Sequence, residues 1–237
     1  MKQLTEAWFE YAGAKSTDMG LRLLSMPRRY SPVVNGLREE VPGRDGYLWI
    51  PDGSCMAVDI SVDCETIDGY SMDEINEWLT QSGEGLLRFS DEPNRSYKAR
   101  VIDPYSAENR FLRFDRKRLS INFSCQPHRY EWPESEPVRL LEAGFVDNPG
   151  TIESLPRIEV AATGDYSITI NGCVIEVTGG SIIIDSELRD CLSIDGMALA
   201  NSRVTLAEFP TLSPGVNIVS WSGNVTAVDI LRRVRFA

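Results

Sequence analysis

The stretch FPTLSPGVNIVSWSGNVTAVDILRRVRF, residues 209 to 236, combines a Pro-Gly turn, two runs of alternating residues and a basic end. Ser213-Pro214-Gly215 predicts a tight turn, because proline fixes φ and glycine accepts backbone angles that a side chain forbids. Two alternating runs follow, 216 to 221 and 225 to 230, with Gly223-Asn224 between them. A period of two is typical of strands, so the stretch predicts the closing β-hairpin of an antiparallel sandwich.

The chain is acidic along its whole length. It has 237 residues with 24 Lys and Arg against 35 Asp and Glu, and both 1–136 and 137–237 carry an excess of acids. An acidic surface repels a phosphate backbone, which argues against a protein that grips nucleic acid but permits one that lets DNA pass by. A hydrophobic content of 42% in a chain of this length suits a folded protein with one large β-domain or two of ordinary size.

The number and spacing of the cysteines predict that all of them are free thiols. They are odd in number, irregularly spaced and without a C-x-x-C pair, at positions Cys55, Cys64, Cys125, Cys173 and Cys191. This usage predicts neither a disulfide framework nor a zinc site, and we expect no metal and no cofactor. The first residues, MKQLTEAWFEYAG, lack the apolar segment of a signal peptide, and no segment approaches the ~20 apolar residues of a membrane span. We therefore expect synthesis in a reducing cytoplasm, no Sec export and no membrane span.

The first half of the chain is predicted to be strands with one short helix. In GYSMDEINEWLTQSG, Ser71 is the candidate N-cap, Glu74 completes a capping box, and Gly83 is the expected stop. The apolar spacing of Ile75, Trp78 and Leu79 predicts one buried helix face. We expect this helix to pack on a sheet.

The run AVDISVDCE, just before the helix, alternates strictly. Val58, Ile60, Val62 and Cys64 are predicted to face the core, and the intervening polar residues Asp59, Ser61, Asp63 and Glu65 to face solvent. The run RLSINFSCQP predicts a second alternating strand. One strand of this half is therefore predicted to carry an acidic face.

A break in the pattern divides the chain. Residues 127–150 concentrate Pro, Glu and Gly and interrupt the periodicity, so we predict one domain over 1–136 and another over 137–237. In the second, Asn171-Gly172 lies between two alternating runs and predicts a hairpin. SIIIDSE predicts a further strand, and DCLSIDGMALANSRV is expected to be loop and turn.

Several motifs follow one another along the chain. The first half contains YAGAKSTDMGLRLLSMP at 11–27 and VPGRDG within residues 38–48, followed by the helix around Trp78-Leu79 and the runs at 86–103 and 118–130. The second half contains NPGTIESLPRIEVAATGDYSITING at 148–172 and FPxLxPGxNxxSWxGNVT near the end. In content and order this set resembles the distal tail proteins of long, non-contractile-tailed phages of Gram-positive bacteria. VPGRDG is the most specific motif of the first half, and the resemblance spans residues 9 to 236.

The resemblance implies a mainly β, structural protein that is not an enzyme. It implies an N-terminal β-barrel or sandwich-like domain with one short helix that forms a homohexameric ring, and a C-terminal galectin-like antiparallel β-sandwich. The expected location is the virion tail tip, where the ring would join the tail tube protein to a tail-tip lysin, fibre or receptor-binding protein and let DNA through. Some relatives carry an inserted carbohydrate-binding domain or long arm, and this chain has no insertion of that size.

Other interpretations of single residues are weaker. His128, the only histidine, falls in the Pro-rich break with no Ser or Cys motif nearby, so a surface-loop histidine is favoured over a catalytic one. Asp63, Glu65, Asp68 and Asp73 could hold calcium, but their spacing is not that of an EF-hand. The basic run Arg110, Arg113, Arg116, Lys117 and Arg118 could contact phosphate, although a strand edge or subunit contact is favoured.

Two tryptophans and three acidic residues permit interpretations other than a ring-forming structural protein. Trp132 and Trp221 could stack on sugars, so a glycan-binding module for host adsorption is the alternative function, although core placement is favoured for Trp221. Asp59, Asp63 and Glu65 could be glycosidase carboxylates, but solvated residues on one strand are the simpler interpretation. Within that interpretation, these three acids are predicted to line the channel of the ring and keep DNA off its wall.

Overall fold

A computed structural model of the chain describes residues 7–67, 71–80, 83–102, 106–109 and 117–237. It is mainly β, as predicted, with curled sheets and a half-barrel. The chain divides into two compact units, Met1–Arg129 with Ala237 and Tyr130–Phe236. The predicted break began at residue 127, but a strand runs without interruption through residues 127–131. The first unit therefore ends at Arg129, seven residues before the predicted boundary at 136.

The first unit is a curled antiparallel sheet, one helix and a separate hairpin. Its elements are β1 (Phe9–Tyr11), β2 (Ala14–Lys15), β3 (Leu21–Leu23), β4 (Val34–Glu39), β5 (Leu48–Cys55), β6 (Val58–Thr66), α1 (Met72–Leu79), β7 (Gly85–Phe89), β8 (Arg95–Val101), β9 (Ser106–Asn109) and β10 (Lys117–Glu131). The strand order of the sheet is β2-β1-β7-β8-β10-β6-β3, and β9 also pairs with β10. Most partners in this order are not consecutive in sequence, so long-range pairing builds the unit.

The core of the first unit lies under the alternating strands. Val58, Ile60, Val62 and Cys64 are buried and the residues between them are exposed or half-buried, which confirms the predicted alternation of β6. On β10, Leu119, Ile121, Phe123 and Cys125 are buried in the same way. Each large side chain removed from water contributes about 1.5–3 kcal/mol, so this face supplies much of the unit's stability.

Helix α1 covers this core. Ser71 caps it as predicted, but its hydroxyl accepts from the Asp73 N–H, at 3.2 Å, instead of the Glu74 N–H of a capping box. Ile75, Trp78 and Leu79 are buried as predicted, and the Trp78 indole donates to the Tyr11 carbonyl at 2.9 Å. The helix ends at Leu79, before the predicted stop at Gly83, and the C-cap Thr80 donates to the Asn76 carbonyl through both its N–H and its hydroxyl.

The second unit contains one eight-stranded sheet. Its elements are β11 (Val138–Leu140), β12 (Gly144–Asn148), β13 (Arg157–Ile170), β14 (Cys173–Val177), β15 (Ile182–Asp185), β16 (Asp190–Leu192), a 3₁₀ turn (Asn201–Arg203), β17 (Val204–Leu206), β18 (Gly215–Leu231) and β19 (Arg235–Phe236). The sheet is formed by β11 to β18, and the short strand β19 is not part of it. The order is β11-β18-β13-β14-β17, with β12 also on β18, and with β15 joining β13 to β16. β13 and β14 form the predicted hairpin, in which Asn171 and Gly172 both have positive φ.

The predicted closing hairpin is wrong. β18 is one strand of 17 residues that pairs with β13 from Leu231 to Val219. Gly223-Asn224 lies within this ladder, where the β13 segment around Gly164 bulges and shifts the register. A β-bulge and a two-residue hairpin turn can both place a glycine at positive φ. The local sequence around Gly223 therefore did not distinguish a bulge in a continuous strand from a turn between two strands. The predicted turn at Pro214-Gly215 is present as a bend before β18, and Gly215 has φ +87°.

Candidate assembly surfaces

The motif VPGRDG lies in the loop of a hairpin that stands apart from the core. Its strands, β4 and β5, pair only with each other among the described residues. Gly43 and Gly46 have positive φ in the connecting loop, which explains why the turn uses glycine twice. Nearly every residue of β4 and β5 is exposed.

Both faces of this hairpin carry large apolar side chains. Leu37 lies opposite Ile50 on one face, and these side chains are 63% and 42% exposed. On the other face Arg38 lies opposite Trp49, and the Arg38 guanidinium lies 3.8 Å from the centre of the Tyr47 ring. A Cβ at Gly36 would come within 2.8 Å of the Trp49 ring, so the glycine lets the indole lie flat on the strand. A two-stranded hairpin is marginal in water by itself, and one that is apolar on both faces is typical of a segment that packs on a partner.

The predicted acidic face of β6 is present, with neighbours that the sequence did not indicate. Asp59 is exposed and lies opposite Ser124 on β10. Asp63 lies opposite Ser120, and its carboxylate is 3.8 Å from Nη2 of Arg118. Glu65 lies between Arg118 on β10 and Arg22 on β3. Arginines therefore flank one end of the row, and its negative excess is concentrated at Asp59.

This row does not have the layout of a hydrolase site. Asp59 and Asp63 are separated by four residues on one strand, about 13 Å, which exceeds the ~5–9.5 Å between paired glycosidase carboxylates. Arg118 lies beside Asp63 and opposite Glu65, so the remaining acids form part of a surface ion-pair row. Ser61 donates to the Asn122 side chain at 2.6 Å across the same face.

The other candidate residues are scattered. His128 is half-buried on β10, so the prediction of a surface loop is wrong, because the strand extends into the Pro-rich segment. Asp68 and residues 110–116 of the basic run lie outside the described residues. In the ranges that the structure describes, no group of His, Cys, Asp and Glu is arranged to hold a metal. Trp221 packs on the core of the second unit opposite Ile168, as favoured by its position in a strand.

The thiols are free and mostly buried. All five cysteines are unbridged. Burial raises the pKa of Cys64 and of Cys125 to about 12, and that of Cys191 to about 11. Thiols with such pKa values remain protonated at neutral pH and are poor nucleophiles.

Comparison with known proteins finds a match in structure but not in sequence. No protein-family model matches the chain, and no curated protein matches it by sequence. The crystal structure of SPP1 Dit (gp 19.1), described as a paradigm of the hub adsorption apparatus in phages that infect Gram-positive bacteria, superposes with a TM-score of 0.73. The match covers 98% of this chain and 100% of SPP1 Dit at 18% identity.

The chain has the fold of SPP1 Dit. The structural neighbour therefore belongs to the family that the sequence motifs resemble, and the predicted fold is confirmed. Within the described residues, no helix is both long enough and apolar enough to span a membrane.

Proposed function

We propose that this protein is a structural subunit of a phage tail tip that assembles into a homohexameric ring. The observation that carries the proposal is the match in fold, over 98% of this chain and 100% of SPP1 Dit, to a protein described as a paradigm of a phage hub adsorption apparatus. The proposed ring joins the tail tube protein to a tail-tip lysin, fibre or receptor-binding protein, and DNA passes through it without specific binding. The proposed location is the virion tail tip, after synthesis in the host cytoplasm, and the proposed role is not enzymatic.

The exposed hairpin β4–β5 supports self-assembly. Its apolar faces are solvent-exposed in a single chain, and packing on a neighbouring copy would remove them from water. A projecting segment that contacts a different surface of the next copy makes a heterologous interface, and such an interface forms a ring when the rotation between successive copies closes. The residues predicted to form the ring domain, 1–136, include this hairpin. The second domain, predicted as galectin-like over 137–237, would project from the ring.

We predict that the purified chain is a hexamer and that polar substitutions on the hairpin convert it to monomer. The double variant Leu37→Ser and Ile50→Ser removes the apolar pair of one hairpin face without touching the buried core. Size-exclusion chromatography with light scattering measures the mass. The matched control is Leu188→Ser with Ile194→Ser, which changes equally exposed side chains of the second unit and should leave the hexamer intact. A wild-type chain that stays monomeric at every concentration would refute ring formation.

We also propose that Asp59, Asp63 and Glu65 line the channel of this ring. Support comes from the outward direction of all three side chains and from the absence of an arginine opposite Asp59 within the described strands. Repeated around a ring, an acidic face raises a negative potential in a narrow, weakly screened space. DNA would then slide past the wall without pausing.

We predict that Asp59→Lys with Asp63→Asn slows genome ejection from phage particles built with the variant. Asparagine is used at position 63 because lysine there would face Arg118. Folding should change little, since exposed substitutions usually cost within about 0.5 kcal/mol. The delay should be largest at low salt, where charges are screened least. Glu176→Lys with Glu208→Gln makes the same charge change at exposed positions of the second unit and is expected to have no effect. Normal genome ejection at low salt by the Asp59→Lys, Asp63→Asn variant would show that these acids do not act in the channel, and it would not affect the proposal of ring formation.

A further inference from the structure

A second exposed apolar surface lies on the sheet of the other unit. Phe145 of β12 lies opposite Ile218 of β18, and Asp147 lies opposite Val216, so all four side chains point to the same face of the sheet. The three apolar side chains are each between 59% and 68% exposed. We call these four residues the β12–β18 patch. Single exposed apolar residues are normal, but neighbouring ones on one face are typical of an interaction site.

Buried hydrogen bonds hold the backbone beneath the patch. Asn217 of β18 is fully buried, and its amide donates to the carbonyls of Val146 and Ser213, at 3.1 and 2.9 Å. The Asn171 side chain accepts from the Ile218 N–H, at 3.0 Å, and donates to Asn217 Oδ1, at 2.6 Å. A surface whose backbone is already ordered loses little conformational entropy when a partner covers it.

The surroundings of the patch have the layout of an interface. Beyond Ile218, the same face of the sheet continues with Ser220, which lies opposite Thr169 of β13. Asp147 lies at the other end of the patch. Protein interfaces typically have an apolar centre and a polar rim, and the patch has both.

The carboxylate of the patch forms no ion pair within the ranges that the structure describes. The nearby guanidinium of Arg232 donates to the backbone carbonyl of Asp147, at 3.0 Å. The Asp147 carboxylate is exposed beside three apolar side chains. A partner that covers the patch is therefore favoured if it places a cation next to Asp147, and it is repelled if it places an acid there.

Charge argues against a second copy of this chain as that partner. Two patches facing each other across a two-fold axis would bring two Asp147 carboxylates into one apolar contact without a cation. The chain as a whole carries 35 acidic residues against 24 basic ones. The proposed ring, formed by residues 1–136, does not need this surface. These observations favour a different polypeptide with a basic contact surface.

We propose that the β12–β18 patch docks a virion protein other than this chain, through a segment that carries large apolar side chains next to a lysine or arginine. The apolar groups of that segment cover Phe145, Val216 and Ile218, and its cation pairs with Asp147. This inference rests on the proposed tail-tip role. It assigns the surface at which the second unit holds a neighbouring protein.

Photo-crosslinking in assembled phage particles identifies the neighbour. Phe145→benzoylphenylalanine is introduced into the full-length chain, the particles are illuminated, and crosslinked peptides are identified by mass spectrometry. The docking predicts a crosslink to a different virion protein, in a segment that contains a lysine or arginine. The matched control is Leu188→benzoylphenylalanine, at a side chain of the same unit that is 61% exposed and lies outside the patch. This control should give no crosslink to that segment.

Charge reversal tests the pairing with Asp147. Asp147→Lys should lower the amount of the crosslinked protein in purified tails at least about tenfold, because it places two cations together. Asp147 is exposed, so the variant should keep the fold and the mass of the wild-type assembly, which circular dichroism and light scattering check. Changing the lysine or arginine of the crosslinked segment to glutamate restores opposite charges and should recover most of the loss. Glu208→Lys, the same change at an exposed position outside the patch, should have no effect.

The results distinguish this docking from the tail-tip role itself. A crosslink to a different virion protein, with rescue of Asp147→Lys by the reversed charge, supports the docking. The docking is overturned if the chain is present in the tails but crosslinks only to its own copies, to a segment without a basic residue, or to nothing. A reversed charge that fails to rescue overturns the pairing with Asp147. Absence of the wild-type chain from purified tails overturns both proposals.

Discussion

Replacing Arg233 with Met is expected to lower the free energy of unfolding of the second unit by about 3 kcal/mol, because it leaves a buried carboxylate without its cation. Asp185, at the end of β15, is 2% exposed. The Arg233 guanidinium donates to both of its oxygens, at 2.6 and 2.8 Å. The N–H groups of Glu187 and Leu188 also donate to this carboxylate, each at 3.1 Å, so the loss should fall at the low end of the ~3–5 kcal/mol range for broken buried pairs.

The matched control is Arg139→Met. Arg139 also approaches a carboxylate, that of Asp229, but at 3.7 Å and with its own side chain 65% exposed. Exposed ion pairs contribute about 0–1 kcal/mol, so this variant should unfold nearly like wild type. Urea unfolding with hydrogen exchange of β15 and β18 peptides localises the change to the second unit. Equal losses of unfolding free energy in Arg233→Met and Arg139→Met would show that the Asp185–Arg233 pair stabilises the fold no more than an exposed ion pair does.

The pH dependence of the same pair has a defined sign. Burial by itself would raise the pKa of Asp185, but the hydrogen bonds from Arg233 and from two backbone N–H groups, together with the Arg233 charge, hold it below its usual value. A carboxyl with a lowered pKa in the folded state stabilises the protein above its unfolded pKa, about 3.9, and loses this contribution as pH falls through the folded pKa. The unfolded pKa is common to both proteins, and in Arg233→Met burial raises the Asp185 pKa without the opposing cation. The difference between wild type and variant should therefore be largest at neutral pH and shrink as pH falls, first through the Asp185 pKa of the variant and then through that of the wild type. A difference that grows on acidification would contradict the lowered pKa.

Local patterns predicted the elements whose determinants are close in sequence. The alternation in β6 identifies the buried side of that strand, because burial on one side of a sheet requires a period of two. Asn171-Gly172 identifies the β13–β14 hairpin, since both residues adopt the positive φ that such a turn needs. Ser71 and the spacing of Ile75, Trp78 and Leu79 identify helix α1.

Features that depend on distant partners were not predictable in the same way. Arg22 and Arg118 flank Glu65 only because β3 and β10 pair on either side of β6, and nothing near Glu65 in sequence indicates this. The hairpin β4–β5 has the apolar content of a core segment, and only the tertiary structure shows that it stays outside the core. Likewise, β12 and β18 bring Phe145 and Ile218 together from opposite ends of the second unit.

Gly223→Ala is the second large effect that we expect, a loss of about 2–4 kcal/mol in the free energy of unfolding of the second unit. Gly223 has φ +93°, which an alanine adopts only with strain. A Cβ at this position would also lie 2.8 Å from the Asp165 carbonyl oxygen and 2.8 Å from Tyr166 Cβ. These contacts come from β13, which crosses Gly223 at the bulge, and both involve atoms at or next to the backbone that cannot rotate away.

Gly172→Ala separates the two contributions to this loss. Gly172 has nearly the same φ, +87°, but lies in the β13–β14 turn, where a Cβ would meet no atom within 4 Å. Its replacement should cost only the backbone strain, about 1 kcal/mol. A closing hairpin at Gly223-Asn224, as the local sequence predicts, would make the two variants equal, whereas the continuous β18 makes Gly223→Ala the more costly. The bulge requires a glycine at position 223 both for its φ and for its close contact with β13, whereas the β13–β14 turn requires one at position 172 only for its φ. Urea unfolding of both variants therefore tests whether β18 is continuous.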